Sequence, residues 1–92
     1  MIKYEIYFYL KAGKDYWVVE SAFAHERNMV AGDFVKISTG EKLEVKEVST
    51  ELTNEHVVRL WLETLPVPLS SLAFYESELS QAGMGIAKVG KP

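Results

Sequence analysis

The chain contains no cysteine. A disulfide scaffold, a thiolate metal site and a thiol nucleophile are thereby excluded. Basic residues are the minority: Lys plus Arg is 10 against 13 Asp plus Glu, a net charge of -3. Binding to a polyanion rests on clustered Lys and Arg, so nucleic acid is disfavoured as a partner. Long apolar runs are also missing. The longest uncharged stretch, Thr64 to Tyr75, contains Pro66 and Pro68. A spanning helix needs about 20 mainly apolar residues, so no membrane segment is expected. Lys3, Glu5 and Lys11 interrupt the apolar run that an export signal would need. A cytoplasmic location is the expectation. There is no internal repeat and no low-complexity tract.

What is present is one domain's worth of chain: 92 residues, 48% hydrophobic and 25% charged. That composition belongs to a folded globule and not to a disordered segment. Three zones divide it. Residues 1–64 are strand-like and hold 8 basic and 11 acidic residues. Residues 65–82 form a proline-containing linker and a short helix. Residues 83–92 carry three glycines and a terminal proline, and are expected to be loose unless they dock.

From Ile2 to Lys11 the pattern has a period of two. Ile2, Tyr4, Ile6, Phe8 and Leu10 share one face; Lys3, Glu5, Tyr7, Tyr9 and Lys11 share the other. This predicts a half-buried strand. A turn at Gly13 leads into a second strand over 16–24, with Trp17, Val19 and Phe23 as its core set. A third strand is expected over 32–38, with Val35 and Ile37 inward, and a fourth over 42–50, with Leu43 and Val45 inward. Glu47 then takes an inward slot, which a one-residue bulge near Lys46-Glu47 would correct. A turn over 51–54 precedes a fifth strand over 55–64. There Val58, Leu60 and Leu62 point in, while Val57, Arg59, Trp61 and Glu63 point out.

Pro66 and Pro68 are expected to end the sheet, because proline has no N–H for a central ladder. Ser70 or Ser71 then suits a helix N-cap. Leu72, Tyr75, Leu79 and Ala82 recur at helical spacing, Phe74 lies opposite them, and Gly83 is a natural stop. A short sixth strand over 72–75 is the alternative.

These elements predict a mainly β fold with a small α addition. The expected architecture is a five- or six-stranded antiparallel meander curling into a small, partly open SH3-like or OB-like barrel, with one short C-terminal helix. Val30-x-Gly32-Asp33-x-Val35-x-Ile37 resembles the strand-opening pattern of SH3-like and related small barrels. The resemblance covers about eight residues and speaks to fold only.

No catalytic constellation is visible. His25 and His56 match no metal-ligand spacing. The glycines at 83 and 85 have the wrong context for a phosphate loop. The serines at 70, 71, 77 and 80 lack a nucleophile elbow. Asp33, after Gly32, suits turn chemistry. No cofactor and no metal site is expected, and the reading is non-enzymatic.

The aromatic residues stand out. Tyr7, Tyr9 and Trp61, with Val57 and Arg59, share an outer face that a solvated sheet would not need. Three covers suit them: the C-terminal helix, a second copy of the chain, or a ligand. The expected function is an interaction or assembly module that forms a homodimer, or binds another protein, through Tyr7, Tyr9, Val57, Arg59 and Trp61. The alternative is a module for an apolar or cationic small molecule held against the same rings. Single-stranded nucleic acid stacked on those rings is the least favoured partner.

Overall fold

The computed structural model describes residues 2–52 and 56–92, and the side chains of residues 51, 52 and 56 lie outside that description. The turn expected over 51–54 and the start of the fifth strand fall partly on residues 53–55, which are outside the described residues.

Seven strands form one mixed, open sheet. They are β1 (Ile2–Ala12), β2 (Asp15–His25), β3 (Phe34–Lys36), β4 (Lys42–Leu52), β5 (His56–Leu62), β6 (Leu65–Val67) and β7 (Gly85–Val89). A 3₁₀ turn, Leu69–Ser71, leads directly into helix α1 (Leu72–Gln81). The order across the sheet is β3-β4-β5-β1-β2-β7, with β6 also pairing β1.

The mainly β class with one C-terminal helix agrees with the sequence. The antiparallel meander does not. β1 and β5 run parallel, with Tyr4 beside Val58 and Tyr7 beside Trp61. β1 and β6 are also parallel. A meander would lay β3 beside β2. Instead the connection after β2 crosses the end of the core, and β3 begins the opposite edge of the sheet. β5 is thereby brought beside β1. The sheet is not a closed barrel, because β3 and β7 both remain edges.

The tyrosine at position 4 holds that crossing in place. Its hydroxyl donates to the Arg27 carbonyl oxygen and accepts from the Met29 N–H, both at 2.9 Å. Its ring stacks on Phe23, 5.3 Å between centroids. Alternation identified Tyr4 as inward; it could not reveal that its polar end anchors a segment some 25 residues away.

The alternating faces came out as read. Tyr4, Ile6, Phe8 and Leu10 are buried on one side of β1. They meet Val19 from β2, Leu43 and Val45 from β4, and Leu60 and Leu62 from β5 in a single core. The β4 ladder shifts between Val45 and Glu47. Lys46 is the extra residue, and the shift returns Val48 to the side of its partner Leu60. Val48 nonetheless stays 37% exposed, although Leu60 beside it is fully buried.

Pro66 does not end the sheet. Leu65 and Val67 are buried on either side of an exposed Pro66, and all three pair with β1. A strand with only one neighbour can point a missing N–H outward, where no ladder needs it. The last segment docks as β7, antiparallel to β2 from Tyr16↔Val89 to Glu20↔Gly85.

Residues 72–75 are helical. Ser71 is the N-cap of α1, but its side chain makes no capping bond; the preceding 3₁₀ turn supplies the entry, with Ser71 N–H donating to the Pro68 carbonyl. Leu79 is fully buried, Leu72 and Tyr75 pack against the core, and Phe74 is exposed. Ala82 is exposed and lies past the stripe it was expected to complete. At the far end Gly83 takes φ +85°. Its N–H donates to the Ser80 carbonyl, and the Met84 N–H donates to the Leu79 carbonyl. This paired arrangement is a Schellman stop, which favours glycine at the left-handed position.

The helix lies on the core face of the sheet. Tyr75 fastens it there by donating its hydroxyl to Glu41 Oε1 at 2.5 Å, and Thr39 donates to the other oxygen of the same carboxylate. Burial pushes the Glu41 carboxyl up, but these two hydrogen bonds together with one from its own backbone N–H outweigh it and hold the group below the ordinary carboxylate range. No helix among the described residues is long and apolar enough to cross a membrane.

Candidate functional site

Lengths decide what the helix can cover. An 11-residue strand such as β1 extends for roughly 36 Å at about 3.3 Å per residue. The 10 residues of α1 reach only about 15 Å. Part of the core face must therefore be covered by something else or stay open.

An apolar cavity of about 340 Å³ occupies that part. Ile6 and Phe8 of β1 and Phe23 of β2 lie on the sheet side. Phe34, Val35 and Ile37, from β3 and the residue just after it, lie across from them. Met29, from the segment pinned by Tyr4, and Met84, after the helix, complete the apolar lining. No residue of α1 contributes. Phe34 is 58% exposed and stands at the lip.

The polar members of the lining are few. They are Ser21, His25, Arg27 and Lys36. Among the described residues, every ionisable side chain of the lining is a base, although the whole chain carries a net charge of -3. His25 Nδ1 accepts from the Arg27 N–H at 3.2 Å, which orients the imidazole. The Arg27 guanidinium approaches Asp33 at 4.0 Å, and its side chain is 67% exposed. A pair so long and so exposed leaves Arg27 available to an incoming anion.

Gly32 and Asp33 act as turn chemistry predicts. Gly32 adopts φ +98°, and Asp33 Oδ2 accepts from the Val30 N–H at 2.9 Å. The Asp33 carbonyl accepts from the Val45 N–H, tying this wall of the cavity to β4. Among the described residues, no three His, Asp or Glu side chains are grouped as a metal would require. The side chain of His56 is outside the described residues.

The residues singled out from sequence lie on the other face. Tyr7, Tyr9, Val57, Arg59 and Trp61 are all half-buried on the outer side of the sheet. Tyr7 stacks on Trp61 with centroids 5.1 Å apart, and Tyr9 tilts against Trp61 at 5.3 Å. Tyr16 extends the row edge-on to Tyr9. Val57 is set apart from these rings, beside Lys3 and Ala22 at one end of the sheet. The helix is on the opposite face, so it does not cover the aromatic row.

Arg59 belongs to a local polar network. Its Nε lies 3.2 Å from Glu5 Oε2, and the Tyr7 hydroxyl donates to the same oxygen at 2.5 Å. The hydrogen bond from Tyr7, then that from Arg59, holds the Glu5 carboxyl below its ordinary range. The same bond pushes the Tyr7 hydroxyl up, since the proton it would lose is the one Glu5 holds. A carboxyl that binds its proton less tightly in the folded chain stabilises the fold above its unfolded value, about 4.3. That contribution is lost as pH falls through the lower, folded value. Acid titration followed by NMR should therefore show the Glu5 carboxyl protonating below the range of the exposed glutamates. In Glu5→Gln, stability should fall less steeply below about pH 4 than in the parent. Identical acid limbs for the two proteins would show that the network is not formed in solution.

No family model, no curated protein and no solved structure matches the chain. Geometry and chemistry carry the functional reading.

Sequence reasoning missed the cavity for a definite reason. Phe23, Phe34 and Met84 lie on three segments far apart in the chain. Phe23 read as core, Phe34 as a strand residue off the inward set and Met84 as part of a loose tail, and only the crossing after β2 sets them around one space. The available signal was Phe34, an aromatic on the side of β3 opposite the inward Val35 and Ile37.

Proposed function

We propose that this chain is a non-enzymatic binding module that takes the apolar part of a partner molecule into the cavity between β2 and β3. An anionic group of that molecule lies at the rim formed by His25, Arg27 and Lys36. The observation that carries this reading is the lining itself: an apolar interior of about 340 Å³ whose ionisable side chains, among the described residues, are all bases. Ligand sites are typically concave and mostly apolar, with a few convergent polar groups, and span about 300–1,000 Å³. A buried space of ~150 Å³ already holds a benzene, so this one suits roughly two such groups. The reading moves the ligand from the aromatic row to the core face, and its charge preference from cation to anion.

Titration calorimetry with decanoate and with decyltrimethylammonium tests it, since the two share a chain length and differ in charge. Decanoate should bind more tightly. Phe34→Asp should weaken it by about tenfold, equivalent to ~1.4 kcal/mol. Phe34 is mostly exposed, so the variant should fold. A preference for the cation, or full affinity in Phe34→Asp, would reject this site.

A second reading is self-association through the outer aromatic row. One observation favours it: α1 packs on the core face and leaves Tyr7, Tyr9, Tyr16 and Trp61 half-buried, with no layer over them among the described residues. Tyr and Trp are enriched where protein surfaces meet. Light scattering across a micromolar dilution series should then give twice the 10.4 kDa chain mass, and Trp61→Lys should return it to the monomer. A constant single-chain mass would dismiss this second reading and leave the cavity untouched.

A further inference from the structure

We infer that the cavity's natural occupant is an extended peptide segment that adds a strand to the free edge of β2 at Ser21–His25. It would place two large apolar side chains in the cavity and a carboxylate at the basic rim. This rests on the binding reading above and names its partner class.

The backbone supplies the first half of the argument. β2 pairs with β1 along its whole length, from Asp15 to His25. On its other side it pairs with β7 only as far as Glu20↔Gly85. There the chain turns away through Met84 and Gly83 into α1. No strand among the described residues lies against that side of Ser21–His25. Alternate residues of this stretch bond β1, and Ala22 and Ala24, between them, turn their N–H and C=O groups to the open side, a template that native proteins usually blunt or cover. Strand addition uses such an edge: main-chain bonds give affinity, and pockets for alternate side chains give specificity.

The side chains supply the second half. Ser21, Phe23 and His25 all line the apolar cavity. Ala22 and Ala24, between them, are exposed and small, so they leave the outer approach clear. A second cleft, lined in part by Glu20, Ala22 and Gly83, follows the same edge on the outer face. An added strand therefore has space on both of its faces. In the register that continues β7, its inward residues fall opposite His25, Phe23 and Ser21. Opposite His25 they meet Arg27 and Lys36 as well, which favours Asp or Glu there. Opposite Phe23 and Ser21 they enter apolar space.

A second copy of this chain fits the edge less well. Antiparallel pairing about Phe23 would set Ser21 against His25 and press Glu26 of the copy toward Glu20, whose edge Gly85 already holds. Like charges directly opposite one another are unfavourable. Partners with a carboxylate at the rim meet bases instead.

The probe is a labelled, end-capped peptide, Thr-Glu-Thr-Phe-Thr-Leu, which stops short of the Glu20↔Gly85 pair, measured by fluorescence anisotropy against the full chain. Three controls accompany it: the same peptide with Lys for Glu, and two versions N-methylated either at the Thr residues or at Glu, Phe and Leu. The parent peptide should bind, and decanoate should displace it. The Lys version should bind at least about tenfold more weakly. At least one N-methylated version should lose binding, because alternate amides face the β2 edge. Amide exchange should slow within Ser21–His25 on binding. In Arg27→Glu/Lys36→Glu, both exposed positions, the order of the Glu and Lys peptides should reverse. If decanoate binds and the peptide does not, strand addition is rejected and the cavity reading stands. If both N-methylated peptides bind as well as the parent, side chains alone are recognised and strand addition is again rejected. If neither decanoate nor peptide binds, both readings fall. A doubled mass with Ser21–His25 protected in the absence of peptide would assign the edge to a second copy.

Discussion

Leu60→Ala is expected to lower stability by about 2–5 kcal/mol, the usual cost of truncating a buried leucine. Leu60 is fully buried and central in the sheet. It pairs with Val48 on one side and Ile6 on the other, so loss of its side chain opens space between two ladders that cannot both close in. The neighbouring Arg59→Ala should cost about 0–1 kcal/mol, the range for a surface ion pair, since Arg59 faces outward to Glu5 across 3.2 Å. Urea midpoints for the two variants measure the difference directly. A larger loss for Arg59→Ala would mean that β5 is flipped by one residue. Every side chain on it would then change faces, and the aromatic row would lose Trp61 to the core.

Tyr4→Phe should cost about 1–3 kcal/mol, because it leaves a buried donor without its acceptor. The Met29 N–H donates to the Tyr4 hydroxyl at 2.9 Å, and Met29 is buried. Phenylalanine keeps the ring on Phe23 but removes the hydroxyl that bonds both Arg27 and Met29 of the crossing segment. The loss should be local as well as global. Exchange at the Met29 amide should speed up more than exchange in β1, and decanoate should bind more weakly, because Arg27 and Met29 both lie in the wall of its cavity. An unchanged midpoint with unchanged exchange at Met29 would show that the crossing is held by other contacts. The two substitutions probe different things: Leu60 the register of the sheet, Tyr4 the closure of the site.

The candidate site was legible in sequence only in its parts. Phe23, Val35 and Ile37 were assigned inward from their spacing, and each lines the cavity. That they line an opening and do not fill a core depends on a mismatch of lengths. β1 and β2 are longer than the helix that could cover them, and β3 is only three residues long. Three rings of the outer aromatic row were legible, since alternation placed Tyr7, Tyr9 and Trp61 outward on their strands, whereas Tyr16, which extends the row, was not among them. Its contacts were not. That Tyr7 meets Trp61 directly follows from β1 and β5 being neighbours, and no property of either strand announces its neighbour.

Side-chain periodicity thus determined what depends on one strand or one helix: the faces of β1, β4 and β5, the bulge near Lys46, the stripe Leu72, Tyr75 and Leu79, and the stop at Gly83; for β2, with Tyr16, Val18 and Ala22 opposite Trp17, Val19 and Phe23, it left the two faces close to even. These are local, because a pleat has a period of two and a helix one of 3.6 whatever surrounds them. Tertiary structure alone decided which strands are paired, and in which direction. Parallel and antiparallel ladders show the same two faces to the rest of the molecule, so alternation cannot distinguish them. It also decided that Pro66 lies in a strand, since the penalty for a missing N–H depends on whether a neighbour needs it. And it decided that α1 packs on the core face, away from the aromatic row. The helix joins the side where Leu79 can be wholly buried, and from there it leaves both the cavity and the free edge of β2 open.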